Sequence, residues 1–326
     1  MTKIAVLGTG SFGKNHVRVL NELGALGGAI DRNEETARKY GQLYNIPWSS
    51  NVDSFDFRSI DGAVIATPTT THQEIAKSLI NKGVHYLFLE KPFVAKVSEA
   101  VELSDFGKQH DVKFMAGFIE RFNQGVLTAK EYLEQNKIGR PIIMTALRIR
   151  RWPDRPVDLG VVKDAAIHDI DIARFILKGQ PISVYARAGS LTRSTNEDHA
   201  TVIMNFGQDC WAILEANWIT PSKSRKLTLT GFLGYIEADL VTQEVTLKNG
   251  EGSFTRFAEW KEPLLFELKH FVDCILAGRK PSPDEKDAVA NLAIAEAALM
   301  SNTMNRSLEF KQFLGDFGAK KLQGYL

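Results

Sequence analysis

The sequence predicts two domains of different construction, a doubly wound α/β domain over 1–119 and an α+β domain over 120–326. Three observations predict this. The 326 residues exceed the size at which one hydrophobic core usually stops growing. The first third alternates short apolar runs with helical patterns. After about Gly117 strands begin to follow one another with few helices between them.

Taken in order, the apolar run Ile4–Leu7 meets a glycine turn, and a helical pattern over about 12–23 follows. The pattern repeats with a run at 28–31, a helix at Glu34–Tyr44, a run at 63–66 and a helix at His72–Asn81. A run at 86–89, a helix at about 98–109 and a run at Lys113–Gly117 complete it. Continuous apolar strands between amphipathic helices indicate a parallel sheet covered on both faces. In the second part the expected elements are a helix at about 124–135, a strand at about 142–150 and a helix at 164–177. Strands at 202–206, 211–216, 227–230 and 245–247 are joined by short turns such as Phe206-Gly207-Gln208-Asp209, the grammar of an antiparallel sheet. Helices at Pro263–Leu276 and about 288–302 close the pattern.

Composition narrows the function classes. A formal net charge of +1 gives no basic field to attract nucleic acid. Cys210 and Cys274 are the only cysteines and have no metal-ligand spacing, so a reducing compartment is expected, with neither a disulfide framework nor a metal site. No apolar stretch is long enough to span a bilayer and the first residues do not resemble a signal peptide, so no membrane association and a cytoplasmic location are expected.

The segment Gly8-Thr9-Gly10-Ser11-Phe12-Gly13 lies between the first strand and the first helix, the context a dinucleotide-binding glycine fingerprint requires. Gly8 serves the tight turn, Gly10 the approach of a pyrophosphate and Gly13 the packing of helix on strand, with Ser11 and Phe12 beside the phosphates at the helix N-terminus. Asp31 ends the second strand 18 positions beyond Gly13, where a carboxylate accepts hydrogen bonds from ribose hydroxyls and repels a 2′-phosphate. This favours NAD. Arg32 keeps NADP open as the alternative, since it can stack on adenine or pair with the extra phosphate.

Three further segments have a characteristic order: Ala66-Thr67-Pro68 followed by His72, Glu90-Lys91-Pro92 at a strand end, and Asp164-Ala165-Ala166-Ile167-His168-Asp169-Ile170-Asp171. With the glycine fingerprint they resemble the glucose-fructose oxidoreductase / inositol 2-dehydrogenase (Gfo/Idh/MocA) family over essentially the whole chain. The resemblance implies a Rossmann domain followed by an α+β domain with a large open, predominantly antiparallel sheet. It implies a nicotinamide at the carboxyl ends of the Rossmann strands, with the substrate between it and the second domain. Thr67, Pro68, His72 and Glu90 fall to the cofactor site, Lys91 to both cofactor and substrate, and Lys91, Asp164 and His168 form the catalytic constellation. A cis Lys91-Pro92 peptide and a homodimer or homotetramer are further implications.

The chemistry can also be argued from the residues. Removing a hydride from a carbinol carbon requires the hydroxyl proton to leave, so a positioned base is needed. At 100° per residue Asp164, His168 and Asp171 share one narrow face of an otherwise mostly apolar helix. His168 is then the favoured base, with Asp164 biasing the imidazole or binding substrate and Lys91 polarising the reacting oxygen; Lys91 as base remains open.

The basic stretch Arg148-Ile149-Arg150-Arg151-Trp152-Pro153-Asp154-Arg155 leads into this helix. Arg148 and Arg150 share a strand face and are expected to converge on a substrate phosphate or carboxylate, with Arg121 and Asn123 adding polar contacts; a solvated charged face is the alternative. Val157-Asp158-Leu159-Gly160-Val161-Val162 resembles the branch of the family that oxidises the 3-hydroxyl of UDP-N-acetylglucosamine and its uronate, although Ala166 stands where a glycine is frequent. The expected function is hydride transfer between a nicotinamide and a secondary alcohol of a sugar nucleotide. The alternatives are an inositol or free-sugar dehydrogenase, a non-catalytic NAD-binding regulator and an NAD-dependent glycosidase.

Overall fold

A computed structural model of the chain describes residues 2–153, 157–191, 195–257 and 259–316. The chain divides into two units, Met1–Phe118 with Leu264–Val289, and Ile119–Pro263 with Ala290–Leu326.

The first unit carries β1 (Ile4–Leu7), α1 (Gly13–Glu22), β2 (Leu26–Ile30), α2 (Glu34–Tyr44), β3 (Trp48–Ser49), β4 (Gly62–Ile65), α3 (His72–Asn81), β5 (Tyr86–Glu90), α4 (Val97–Gln109) and β6 (Lys113–Gly117). The strands form a sheet ordered β3-β2-β1-β4-β5-β6, parallel throughout. The order reverses at β1 and β4, the switch point at which such sheets bind ligands. All four residues of β1 and of β4 are buried, as strands covered on both faces must be.

The second unit carries α5 (Gln124–Glu134), β7 (Pro141–Arg151), a π-helical turn (Val162–Ala166), α6 (Ile167–Leu177), β8 (Ser183–Gly189), β9 (His199–Gly207), β10 (Cys210–Asn217), β11 (Ile219–Gly231), β12 (Gly234–Asp239), β13 (Val245–Asn249) and β14 (Gly252–Arg256). α7 (Pro263–Leu276) and α8 (Glu285–Met304) follow, then β15 (Leu308–Glu309) and α9 (Phe310–Asp316). The sheet is ordered β14-β13-β12-β11-β7-β10-β9-β8-β15, antiparallel except where β10 runs parallel to β7. The α/β plus α+β class and the open, predominantly antiparallel sheet are therefore as the sequence predicts.

Two features depart from expectation. The expected division places everything after 119 in the second domain, whereas Leu264–Val289 groups with the first unit. Its packing gives the reason: Phe271 of α7 meets Phe88 edge to face at 5.8 Å, and the Ala116 amide donates to the Pro283 carbonyl at 2.9 Å. The pattern also fails to predict β3, β8, β12, β14, β15 and α9. β14 is fully exposed along its length, so no apolar alternation marks it, and β15 is two residues long. Among the described residues no helix is long and apolar enough to cross a membrane, and no group of three or more His, Cys, Asp or Glu could hold a metal ion.

Candidate active site

The candidate residues fall into two groups, one in each unit. In the first, Gly8 adopts φ +82°, and a Cβ there would stand 2.7 Å from the Thr67 amide nitrogen and 2.8 Å from the Ala66 carbonyl. At Gly13 a Cβ would lie 1.7 Å from the Gly8 carbonyl oxygen. Only glycine permits these contacts. At Gly10 nothing lies within 4 Å of such a Cβ, so the loop is crowded on its protein side and open above. Ser11 and Phe12 are exposed just before α1, whose positive N-terminal end directly follows the loop.

Asp31 closes the loop. Its Oδ2 accepts from the Thr9 amide at 2.7 Å and the Thr9 hydroxyl at 3.2 Å, and its Oδ1 accepts from the Asn33 amide at 2.9 Å. Oδ1 keeps acceptor capacity for a ribose hydroxyl, and the carboxylate charge opposes a 2′-phosphate. Arg32 is exposed. These residues fit a dinucleotide without a 2′-phosphate: an open cradle over Gly10, a helix N-terminus and an acid at the end of β2.

The loops after β4 and β5 are braced together. His72 is buried and lies 2.9 Å from the Thr67 carbonyl through Nε2 and 3.1 Å from the Phe93 carbonyl through Nδ1. It holds the backbone on which Thr67 and Pro68 sit, and the Thr71 hydroxyl adds donations to the Thr67 hydroxyl and the Pro68 carbonyl, both at 2.8 Å. The Lys91-Pro92 peptide is cis. Glu90 pairs through Oε1 with His16 Nε2 at 2.6 Å and accepts the Lys91 amide on Oε2 at 3.1 Å. Its carboxylate thus fixes the backbone that carries Lys91. His16, 0% exposed, is absent from the sequence-based set. Its signal is an imidazole inside the buried stripe Gly13, His16, Val17, Leu20 of α1.

In the second unit, Asp164 sits half-buried in the π turn, which ends at Ala166, and His168, 8% exposed, is the second residue of α6. Gly160 leaves room for the Glu197 carboxylate, which would lie 2.1 Å from a Cβ there and which accepts the Val162 amide at 3.1 Å. The uniform 100° spacing does not hold across this turn, and the third member of the expected stripe has another partner. Asp171 is buried and receives Arg121 through two bonds of 2.8 and 2.6 Å and Asn291 at 2.7 Å.

This corrects the expected substrate contacts. Arg121 is committed to Asp171. Asn123 is buried, caps α5 by accepting the Gly125 amide at 2.9 Å, and donates to the Leu240 carbonyl at 2.9 Å. Arg148, 4% exposed, gives Nε and one terminal nitrogen to Asp169, each at 2.9 Å, and the other nitrogen to Glu120 at 2.9 Å. Its alternation with buried Met144 and Ala146 turns it inward, and both carboxylates that meet it are themselves buried. Arg148 and Arg150 therefore do not form a matched outward clamp: Arg150 alone is exposed, with Nε on the Arg151 carbonyl at 3.2 Å. Asp154 and Arg155 lie outside the described residues.

The network's electrostatics follow from its composition. Burial alone would raise the Glu120 carboxyl, but the Arg148 and Arg225 guanidiniums outweigh it and hold it below the ordinary range. Burial likewise opposes the charge on Arg148, and Asp169 and Glu120 more than compensate, raising it above the ordinary guanidinium value. Arg225 is reached by Glu120 through a single 3.2 Å bond, and burial together with the neighbouring Arg148 lowers it.

Comparison with known proteins adds family information. Residues 2–118 match the oxidoreductase family, NAD-binding Rossmann fold, and residues 126–237 match the GFO/IDH/MocA C-terminal domain. The chain is 26% identical over 307 residues to the UDP-N-acetylglucosamine 3-dehydrogenase of Acidithiobacillus ferrooxidans, covering 91% of this chain and 95% of that one. It is 28% identical over 340 residues to the scyllo-inositol 2-dehydrogenase (NAD(+)) of Bacillus subtilis, covering 95% and 97%. The fold is shared with an oxidoreductase from Agrobacterium radiobacter solved with NAD+, L-tartaric acid and magnesium, at a TM-score of 0.87, 20% identity and coverage of 95% and 99%.

Proposed function

The chain belongs to the GFO/IDH/MocA family of NAD-binding oxidoreductases, and from that membership we propose that it oxidises or reduces a secondary alcohol on a sugar nucleotide resembling UDP-N-acetylglucosamine. The observation that carries the reading is the glycine loop closed by Asp31, in one sheet with Lys91 directly after the carboxyl end of β5. NAD, when bound, supplies a nicotinamide that exchanges a hydride with the carbinol carbon.

The chain's own residues handle binding and the proton. Lys91 orients the reacting hydroxyl and stabilises negative charge developing on its oxygen. His168 takes the hydroxyl proton as general base, and Asp164 biases the imidazole or holds a neighbouring hydroxyl. Glu90 and His16 position Lys91 through its backbone. His72 sets the loop that carries Thr67 and Pro68 toward the cofactor.

The substrate class is supported by the A. ferrooxidans relative, which aligns with 91% of this chain. A second reading, a neutral cyclitol, is favoured by the B. subtilis relative at 28% identity. Near-ultraviolet absorbance of nicotinamide reduction separates them when NAD is offered with UDP-sugars, free aldoses and inositols. Turnover of a UDP-sugar is expected; turnover of inositols alone would establish the second reading, and no turnover of any alcohol would remove the dehydrogenase.

A further inference from the structure

We propose that Arg150, Lys223 and Arg225 form an anion subsite in the second unit that binds a phosphate group of the substrate. The assignment rests on the sugar-nucleotide reading and moves the expected anion contact from Arg148 to the neighbouring strand. β7 and β11 pair antiparallel with Arg148 opposite Arg225 and Ile149 opposite Ser224. Directly opposed residues share a sheet face, as do residues two apart on one strand, so Arg150 and Arg225 both flank Arg148 on its own face. Lys223 is two residues before Arg225, where the pairing becomes irregular between Ile219 and Ser224.

The charge balance is uneven. Four cations, Arg148, Arg150, Lys223 and Arg225, meet two carboxylates, Glu120 and Asp169. Arg148 takes three of the four bonds those carboxylates make to guanidiniums, leaving Arg225 a single longer one. Lys223 and Arg150 are exposed and have no carboxylate partner among the described residues. The excess is felt locally: Arg225, then burial, then Arg150 lower the Lys223 ammonium, and burial and Arg148 lower Arg225. Cations gathered this closely repel one another unless an anion joins them.

The donors suit a phosphate. Arg225 is 32% exposed and spends one terminal nitrogen on Glu120, and Arg150 spends only Nε, so each guanidinium retains N–H groups for a forked contact. Lys223 adds a point charge. The subsite adjoins the network that reaches α6: Arg148, opposite Arg225 on the paired strand, is bonded to Asp169, the residue after His168. A phosphate held there would fix one end of a substrate while His168 meets the other.

The test uses the full chain saturated with NAD, so that the glycine loop is already filled. Calorimetric titration with inorganic pyrophosphate, UDP and uridine is compared in wild type and in the Arg150→Gln/Lys223→Gln double variant. Saturable binding of pyrophosphate and UDP but not uridine is expected, weakened by about tenfold or more in the double variant. Without anion the double variant should melt at a higher temperature than wild type, because an unbalanced repulsion has been removed. Absence of pyrophosphate and UDP binding in wild type, or equal binding by the variant, overturns the subsite. Binding through these residues in a protein that oxidises no sugar nucleotide keeps the subsite and removes the substrate reading. Turnover of a UDP-sugar with the same KM in the variant removes the subsite and keeps that reading.

Discussion

Single side chains divide into those that meet ligand and those that hold the ones that do. Lys91→Ala removes the proposed charge-stabilising group and His168→Ala the proposed general base, and kcat is expected to fall by about 10²–10⁴ in each, read from nicotinamide absorbance. If both variants turn over at wild-type rates the catalytic assignment is wrong. His16 belongs to the second class. His16→Ala leaves the part-buried Glu90 carboxylate without its 2.6 Å partner, and a loss of about 1–3 kcal/mol is expected from the urea midpoint. A positioning role also predicts that Glu90→Gln, which keeps the backbone contact to Lys91, retains more activity than Glu90→Ala. At this scale the glycine turn and the position of Asp31 at the end of β2 were legible because each answers a local demand of strand, turn or helix. Arg148 was misread because its partners lie 21 and 28 residues away, on elements whose approach no local spacing reveals.

Elements decide which of these side chains are presented. The glycine loop between β1 and α1 tolerates no Cβ at Gly8, and Gly8→Ala is expected to cost about 1–3 kcal/mol and to weaken NAD binding together with it. Calorimetric titration with NAD checks this, and unchanged affinity would mean that the loop shape is not what the cofactor reads. The short helical segment Ile119–Phe122, β7 and α6 are tied by Glu120, Arg148 and Asp169. Because Glu120 is held below its ordinary value of 4.5 in the fold, its stabilisation is complete above that pH and is lost as pH falls through the folded value. Urea midpoints measured between pH 7 and pH 3 should therefore fall less steeply in Glu120→Gln than in wild type. The same variant should be less stable by about 3 kcal/mol at pH 7, because Arg148 loses a charged partner in a buried site. The helical period correctly marked α6 but not the π turn before it, whose Val162 amide is held by the distant Glu197.

At the scale of the whole molecule, each unit has its own sheet, and the second leaves one face partly uncovered. Trp211 of β10 stands beside Ile143 of β7, and both are exposed with Ile213 on the same face. This apolar stripe is the surface on which a homodimer or homotetramer is expected to form. Light scattering checks it: a monomer at micromolar concentration would count against the expectation, and Trp211→Glu should shift an oligomer toward monomer.

The amino-acid sequence by itself determined the class of both folds, the glycine turn after β1 and NAD as the favoured cofactor. Those features depend on periodicity, glycine conformation and a carboxylate a fixed distance along one β-α-β unit, all of them local. Only the tertiary structure decided that Leu264–Val289 packs with the first unit, that His16 braces Glu90, and that Arg121, Asn123 and Arg148 are internal ties. The physical reason is shared. A buried charge takes its role from the partner that compensates it, and here the partners come from elements far apart in the chain.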